Sequence, residues 1–334
     1  MPTAIPPPRL ESETLCRMIE AWPVDGYSAH ASRIAPGSLR RKRMDLASAL
    51  LASDRNRAPL LWEQGELVGA ASWSPLPWDS RHFGCAAARI DLLLADGAYA
   101  LSLRRKQILL DSILRECRAD GIAHLSARVQ AADLSSIHAI EGHAFQLIDG
   151  IQTFTLSLAD EYTVPGDVPT GVQIGEYEPW QLEGILDIAR TAYRFDRFHA
   201  DPELPDGAAD RLHEDWLRNS CSGQAADLVM TAFHGRQVLG FVTVKFDSSV
   251  CFQNGGRLAT IVLVATAETG RGKGIARATT LAALSRLRQC GIAAVQVGTQ
   301  LSNIGAGRLY ESCGFRLGAS TLTFRKVLAQ ERPS

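Results

Sequence analysis

The chain repeats itself. Sliding the 334-residue sequence along itself by 170 positions lays GIAHLSARVQAADLSSIHAIEGHAF, from Gly121, on GIAAVQVGTQLSNIGAGRLYESCGF, from Gly291. Between Gly121 and Phe154 the match needs no gap and holds nine identities in 34 positions. Gln130 meets Gln300, Asp133 meets Asn303, Glu141 meets Glu311 and Phe154 meets Phe324. Upstream, LLWEQGELVGAASW from Leu60 resembles LVMTAFHGRQVLGFVTV from Leu228. Each is two β-rich runs around a glycine-containing turn, which predicts a hairpin. Hairpin, helix, strand and helix recur in the same order, so the chain is read as two copies of one α/β module. Its length suffices for two domains that each bury a core.

The fold expected is α/β: two tandem modules, each a mixed, mostly antiparallel sheet flanked by helices. ADEYTVPGDVPTG, residues 159–171, is rich in Pro, Gly and acid and reads as an exposed linker. The expected division is therefore 1–158, 159–171 and 172–334. The second module opens with a short strand, VQIGEY, and a helix, PWQLEGILDIARTAY. An irregular segment, RFDRFHADPELPDG, leads to a helix, AADRLHEDWLRNS. After the hairpin 228–246 come a strand over 258–266, a glycine-rich turn and a helix from Ile275. A strand, a short helix near 304–312 and a last strand around STLTFRKVL complete the module.

Charge and cysteine content narrow the function. The formal net charge is −1, so no global field recruits nucleic acid or an anionic membrane, and any anion needs a local site. The seven Cys include no CxxC and no metal-ligand spacing, which suits a reducing, cytoplasmic setting and predicts no metal. The N-terminus, MPTAIPPPRL, lacks the pattern of a signal peptide and reads as an extended tail. No apolar run reaches the roughly 18 residues of a membrane span.

The local anion site is ETGRGKGIARA, where Gly270, Gly272 and Gly274 lie between an apolar strand and a helix. Glycines there turn the backbone sharply and leave amides uncovered. The first helical turn adds unpaired N–H groups and a positive dipole end, which together suit a pyrophosphate. Arg271, Lys273 and Arg277 add positive charge. A dinucleotide-binding loop would sit near the start of a βαβ unit, and a Walker A loop would end in Gly-Lys-Ser/Thr. This turn follows a hairpin late in the chain and ends GKGI. A turn with no ligand stays open as an alternative.

RGKGIA, Arg271 to Ala276, fits the R/Q-x-x-G-x-G/A signature, and Asn303, Ala306, Tyr310, Gly314 and Phe315 fit N-x-x-A-x-x-x-Y-x-x-x-G-F. On these residues and the order of elements, residues 172–328 resemble the GNAT superfamily of acyl-CoA-dependent N-acyltransferases. The resemblance implies acetyl-CoA or another acyl-CoA as donor. It implies that the pyrophosphate is held at Gly272, Gly274, Ile275 and Ala276, with Arg271 and Lys273 alongside. It implies pantetheine along the strand at Val262, Leu263 and Val264, with a backbone N–H polarising the thioester carbonyl. Asn303 matches a position that contacts the cofactor arm, and equally could cap the short helix. Tyr310 matches the usual general acid, which protonates the departing thiolate; a core aromatic is the other reading. Gly305 and Gly307 should weaken the helix between Asn303 and Tyr310. The first module carries YALSLRRK, Tyr99 to Lys106, opposite TGRGKGIA, and Ile140 opposite Tyr310. It is therefore read as a degenerate GNAT-like module that has lost cofactor binding.

RFDRFHADPELPDGAADRLHEDWLRNS is similar to a region of sugar-nucleotide N-acyltransferases that act on dTDP-amino-dideoxyhexoses, of the dTDP-fucosamine type. Leu76 to Leu94 resembles their W-D-S-x-F-F-G segment through Trp78, Asp79, Phe83 and Gly84, with His82 in place of a more usual aromatic. The resemblance implies a nucleotide-linked amino sugar as acceptor. Asp196, His199 and Asp201 are candidate base or hydroxyl ligands, and Arg197 lies among them. Trp78, Phe83 and Phe198 are candidates to stack on the nucleotide base. Each of these residues also has a plain reading, as a solvated loop position or a packed aromatic. The duplicated length is compatible with an acyl group larger than acetyl. Two rivals stand beside this reading. One is a different small amine: an aminoglycoside, a peptide N-terminus or a polyamine. The other is a non-catalytic CoA-binding module.

Overall fold

In the computed structural model, residues 8–21, 27, 30–158, 168–193, 197–205 and 207–328 are described. The first module begins with helices α1 (Pro8–Ala21) and α2 (Pro36–Ala52). The hairpin predicted at Leu60 forms as β1 (Leu60–Glu63) and β2 (Glu66–Pro75), turning at Gln64 and Gly65, both with positive φ. Next come α3 (Pro77–Phe83), β3 (Ala87–Ala95), α4 (Tyr99–Ala119), β4 (His124–Gln130), α5 (Leu134–Gly142) and β5 (Gln146–Ser157).

The second module follows the same plan. It contains β6 (Gln173–Glu176), α6 (Leu182–Ala192), the four-residue α7 (Arg197–Ala200) and α8 (Ala208–Cys221). The hairpin is β7 (Leu228–His234) and β8 (Gln237–Asp247), followed by β9 (Arg257–Thr266), α9 (Ile275–Gln289) and β10 (Ile292–Gln300). The module closes with α10 (Ile304–Ser312) and β11 (Arg316–Val327). Gly305 and Gly307 do not break α10, and the Phe154 ring lies 3.6 Å from where a Cβ on Gly307 would stand.

Compact units and linear modules do not coincide. One unit is Met1–Ala31, Pro36–Gly150 and Ser320–Ser334; the other is Ser32–Ala35 and Ile151–Ala319. These units differ from the division expected at 1–158, 159–171 and 172–334. The cause is an exchange of terminal strands. In the first unit β1, β2 and β3 are antiparallel neighbours, β3 runs parallel to β4, and β4 takes β11 antiparallel, Gln130↔Thr321 through His124↔Val327. In the second, β6, β7, β8 and β9 are antiparallel, β9 runs parallel to β10, and β10 takes β5 antiparallel, Gln300↔Ile151 through Ala294↔Ser157. The two exchanges are the same under the 170-residue shift: Ala127 faces Phe324 as Val297 faces Phe154. Of the linker expected at 159–171, residues 159–167 lie outside the described part.

Each sheet carries a core on the side of its long helix. In the first unit, α4 presses Leu109, Leu110, Ile113 and Leu114 on Leu125 and Ala127, with Ile140, Phe145 and Phe324. In the second, α9 presses Leu281, Leu284 and Leu287 on Ile261, Val295 and Val297, with Tyr310, Phe315 and Phe154. Phe154 and Phe324 are 3% and 1% exposed, and each such ring contributes about 1.5–3 kcal/mol of burial. On the opposite face, α6 packs Ile185, Leu186 and Ala189 on Phe241 and Leu263. Among the described residues no helix is long and apolar enough to cross a membrane.

Candidate active site

The site grows from a fork in the second unit. β9 and β10 pair in parallel up to Ile261↔Val297, after which β9 has no partner on that side among the described residues. A bulge on its other side turns the strand: Val244 faces Ile261 and Thr243 faces Leu263, leaving Val262 as the extra residue. Thr243, fully buried, accepts the Leu263 N–H at 3.1 Å through Oγ1 and so pins the bulge. Of the three β9 residues expected along the donor arm, Val262 and Val264 are half-buried. Leu263 differs: it packs against α6 and its N–H is already taken. Because strand backbone groups alternate in direction, those of Val264 face the fork.

Past the end of β9 the chain makes the glycine turn. Gly272 and Gly274 have φ of 74° and 78°, a conformation that favours glycine. Among the described residues nothing lies within 4 Å of a Cβ added at Gly272, and only Pro169 Cγ, at 3.9 Å, is near one added at Gly274. Gly270 is the structural member, since its Cβ would stand 3.0 Å from Thr266 Cγ2. Gly274 is the N-cap of α9 and supplies no side-chain cap. Among the described residues the N–H groups of Gly272, Gly274, Ile275 and Ala276 make no hydrogen bond. Ile275 buries its side chain against Ala232 and Leu239, which fixes the first turn of the helix. Arg271 and Lys273 are exposed beside it. Free amides, an open cradle and a helix start suit a pyrophosphate, so the residues fit an acyl-CoA donor.

Tyr310, on α10, is 4% exposed. Its ring lies between Phe154 and Phe315, with both centroid distances 5.9 Å. Burial pushes its phenol pKa well up, with the Cys313 thiol adding to the shift, so the hydroxyl keeps its proton. Tyr310 makes no hydrogen bond through Oη among the described residues. Asn303 caps α10, its Oδ1 accepting the Ala306 N–H at 3.2 Å.

The first unit repeats the fork, with β3 and β4 paired only as far as Ile90↔Ala127, but fills the anion site. There α4 starts at Tyr99, six residues before Arg105, the position opposite Ile275. Residues that form the glycine turn in one unit are helix in the other. Ser102 N–H donates to Ala98 O, and Arg105 is held by Glu63 (2.6 Å) and by Asp96. Lys106, opposite Ala276, reaches across to Asp133, opposite Asn303, at 2.9 Å, and to Ser135 at 2.8 Å. Burial pushes the Lys106 pKa down against the pull of Asp133. Burial pushes the Asp133 carboxyl up, but hydrogen bonds from Ser136 and Lys106 outweigh it and hold the pKa below the ordinary range.

The expected acceptor residues fall in both units, Trp78 and Phe83 in the first and Arg197 to Asp201 in the second. Phe83 is 4% exposed and packs on His124 (5.4 Å), so its ring is not open for stacking on a base. Trp78 is half-buried, with Arg81 over its ring and His82 beside it. Asp196 lies outside the described residues, and Arg197 opens α7. Phe198 and His199 lie against His213 of α8, which also stacks on Tyr193 at 4.4 Å. Asp201, 4% exposed, accepts the Glu203 N–H and shapes the turn after α7. Thr243, Phe154 and the Lys106–Asp133 pair escape a sequence reading. Only the 170-residue alignment carries a signal for the last two, by placing Asp133 on Asn303 and Phe154 on Phe324.

Comparison with known proteins agrees with this geometry. Residues 182–315 match the model of the acetyltransferase (GNAT) family. The chain is 26% identical over 255 residues to the spore coat polysaccharide biosynthesis protein SpsD of Bacillus subtilis (strain 168), covering 76% of this chain and 82% of that one. Among solved structures, a GCN5-related N-acetyltransferase from Sphaerobacter thermophilus superposes with TM-score 0.60 at 15% identity, covering 97% of this chain and 94% of that one. A tandem GNAT protein from the clavulanic acid biosynthesis pathway gives TM-score 0.55 at 15% identity, over 87% and 89%. With the fork and the glycine turn, these matches make residues 182–315 similar to the acetyltransferase (GNAT) family, and the two-module fold is one this chain shares with those solved structures.

Proposed function

We propose that the second unit transfers an acetyl or larger acyl group from acyl-CoA to the amine of a nucleotide-linked amino-dideoxy sugar. The observation that carries the donor half is the fork of β9 and β10 ending at a turn where, among the described residues, the amides of Gly272, Gly274, Ile275 and Ala276 are unbonded. Arg271, Gly272, Lys273, Gly274, Ile275 and Ala276 hold the pyrophosphate, the backbone of Val262 and Val264 holds pantetheine, and Asn303 lies alongside. Acyl-CoA supplies an activated thioester. The acceptor nitrogen bonds to its carbonyl carbon and the carbon–sulfur bond breaks. Tyr310 Oη, whose raised pKa keeps it protonated, gives its proton to the leaving sulfur. The proton lost by the amine goes to water or a carboxylate. The first unit binds no donor, because helix α4 and the Lys106–Asp133 pair take up the space and charge of that site.

The acceptor half rests on likeness to a protein named for polysaccharide biosynthesis and on the segments around Trp78 and Phe198. A thiol-release assay with acetyl-CoA tests it, using a panel of dTDP-amino sugars, aminoglycosides and polyamines. Turnover of a dTDP-amino sugar above the other amines is expected. Turnover confined to aminoglycosides or polyamines would remove the substrate, and no turnover despite acyl-CoA binding would remove the reaction.

A further inference from the structure

In the second unit one row of side chains crosses four strands. Lys245 of β8 faces Thr260 of β9, Thr260 faces Gln296 of β10, and Gln296 faces Thr155 of β5. Gln296 donates its carboxamide N–H to Thr260 Oγ1 at 3.0 Å. Thr153 lies two residues along β5, opposite Gly298. The flanking residues Ala259, Ile261, Val295, Val297 and Phe154 are buried in the core that holds Tyr310, so alternation sets the row on the other face. Thr260, Gln296, Thr155 and Thr153 are half-buried and Gly298 is exposed. Charge enters the row only at its β8 end, where the exposed Lys245 is held by Asp227 at 3.0 Å.

The row lies one residue short of the Ile261↔Val297 rung at which β9 and β10 part. With the pyrophosphate at the glycine turn, the donor arm runs back along β9. Thr266 and Ile261 are five residues apart, about 17 Å at roughly 3.3 Å per residue. That is the reach of an extended pantetheine, so the thioester comes to the vertex of the fork, beside Thr260 and Gln296. Any amine that attacks it must be held next to this row.

The first unit shows that the fold does not impose these residue types. Its matching row is Ser74, Arg89, Ser126 and Arg325, and Arg128 faces Thr323 where Gly298 faces Thr153. Two arginines stand where the second unit has threonines. A neutral array of hydroxyls and a carboxamide, each able to donate and accept, matches the hydroxyls of a sugar ring and offers no counter-charge to a polycation.

We infer that Thr260, Gln296, Thr155 and Thr153 form the platform that holds the hydroxyl groups of the acceptor sugar, with Gln296 as the specificity-determining residue. This rests on the donor placement and sugar acceptor proposed above. Steady-state kinetics on Gln296→Ala and Thr155→Val test it, with acetyl-CoA affinity by calorimetry and Tm as controls. The KM for the amino sugar should rise roughly five- to tenfold per variant, the size of one lost hydrogen bond, with donor Kd and Tm unchanged. Thr155→Ser should restore the KM. An unchanged acceptor KM in the double variant, in an enzyme that acylates amino sugars, would overturn the platform alone. Failure of the substrate reading shows in the wild type: if it acylates only polyamines or aminoglycosides, substrate and platform fall together. If both variants lose Tm, Thr155→Arg decides. It copies a residue the first unit tolerates, and amino-sugar turnover at the wild-type KM in that variant would also overturn the platform.

Discussion

Tyr310 and Ile140 occupy equivalent positions, both buried, both beside a Phe at the end of the same helix. The phenol adds one hydroxyl to an otherwise apolar environment, and among the described residues that hydroxyl has no hydrogen-bond partner. Tyr310→Phe should therefore leave Tm unchanged while lowering turnover about 10²-fold or more, the scale of lost general-acid help. Because burial raises the phenol pKa, Tyr310 stays protonated across neutral pH. The alkaline limb of the rate profile should show no loss assignable to it below about pH 10. Near-wild-type turnover of the Phe variant at saturating donor would end this assignment. Tyr310 and the glycine turn are legible in sequence because their spacings are local, a few residues within one turn or helix. The row of Thr155, Thr260 and Gln296 is not, since strand register alone brings those positions together.

At the scale of elements, the two units differ where a helix begins. In the second, Gly274 starts α9 and leaves the preceding residues to a turn; in the first, α4 extends back through the same positions. The absence of glycine in YALSLRRK marks this difference, but the buried pair that accompanies it does not show in one segment. Lys106 and Asp133 join α4 to the cap of α5, with side chains 5% and 9% exposed. Removing one partner strands the other charge. Asp133→Asn should cost about 3–5 kcal/mol, whereas Lys106→Ala with Asp133→Asn, which copies Ala276 and Asn303, should cost less than that single change. Thermal or denaturant unfolding of the three variants checks the order. The depressed carboxyl pKa sets the pH window. The contribution of Asp133 is complete above the usual carboxylate range and is lost as pH falls below it, so wild type and double variant should converge toward pH 3.

For the whole molecule, the repeat, the mixed sheets and the order of elements could all be read from the 170-residue echo. The exchange of β5 and β11 could not, because either strand satisfies the same apolar pattern beside β4 or beside β10. Cutting at the expected linker is therefore predicted to disable both halves. The fragment 172–334 lacks Ile151–Ser157, hence the strand beside β10 and the Phe154 ring against Tyr310. It should show no Tm shift with acetyl-CoA, and adding fragment 1–171 should restore one. A fragment 172–334 that unfolds cooperatively and binds acetyl-CoA as the full chain does would contradict the exchange. The same wiring sets a schedule for biosynthesis. The strand that pairs with β4 is made after every other described element of both modules, so the half made first waits on the half made later. A premature stop at Ser320 would do its first damage not near the new C-terminus but beside His124–Gln130, in the domain translated long before.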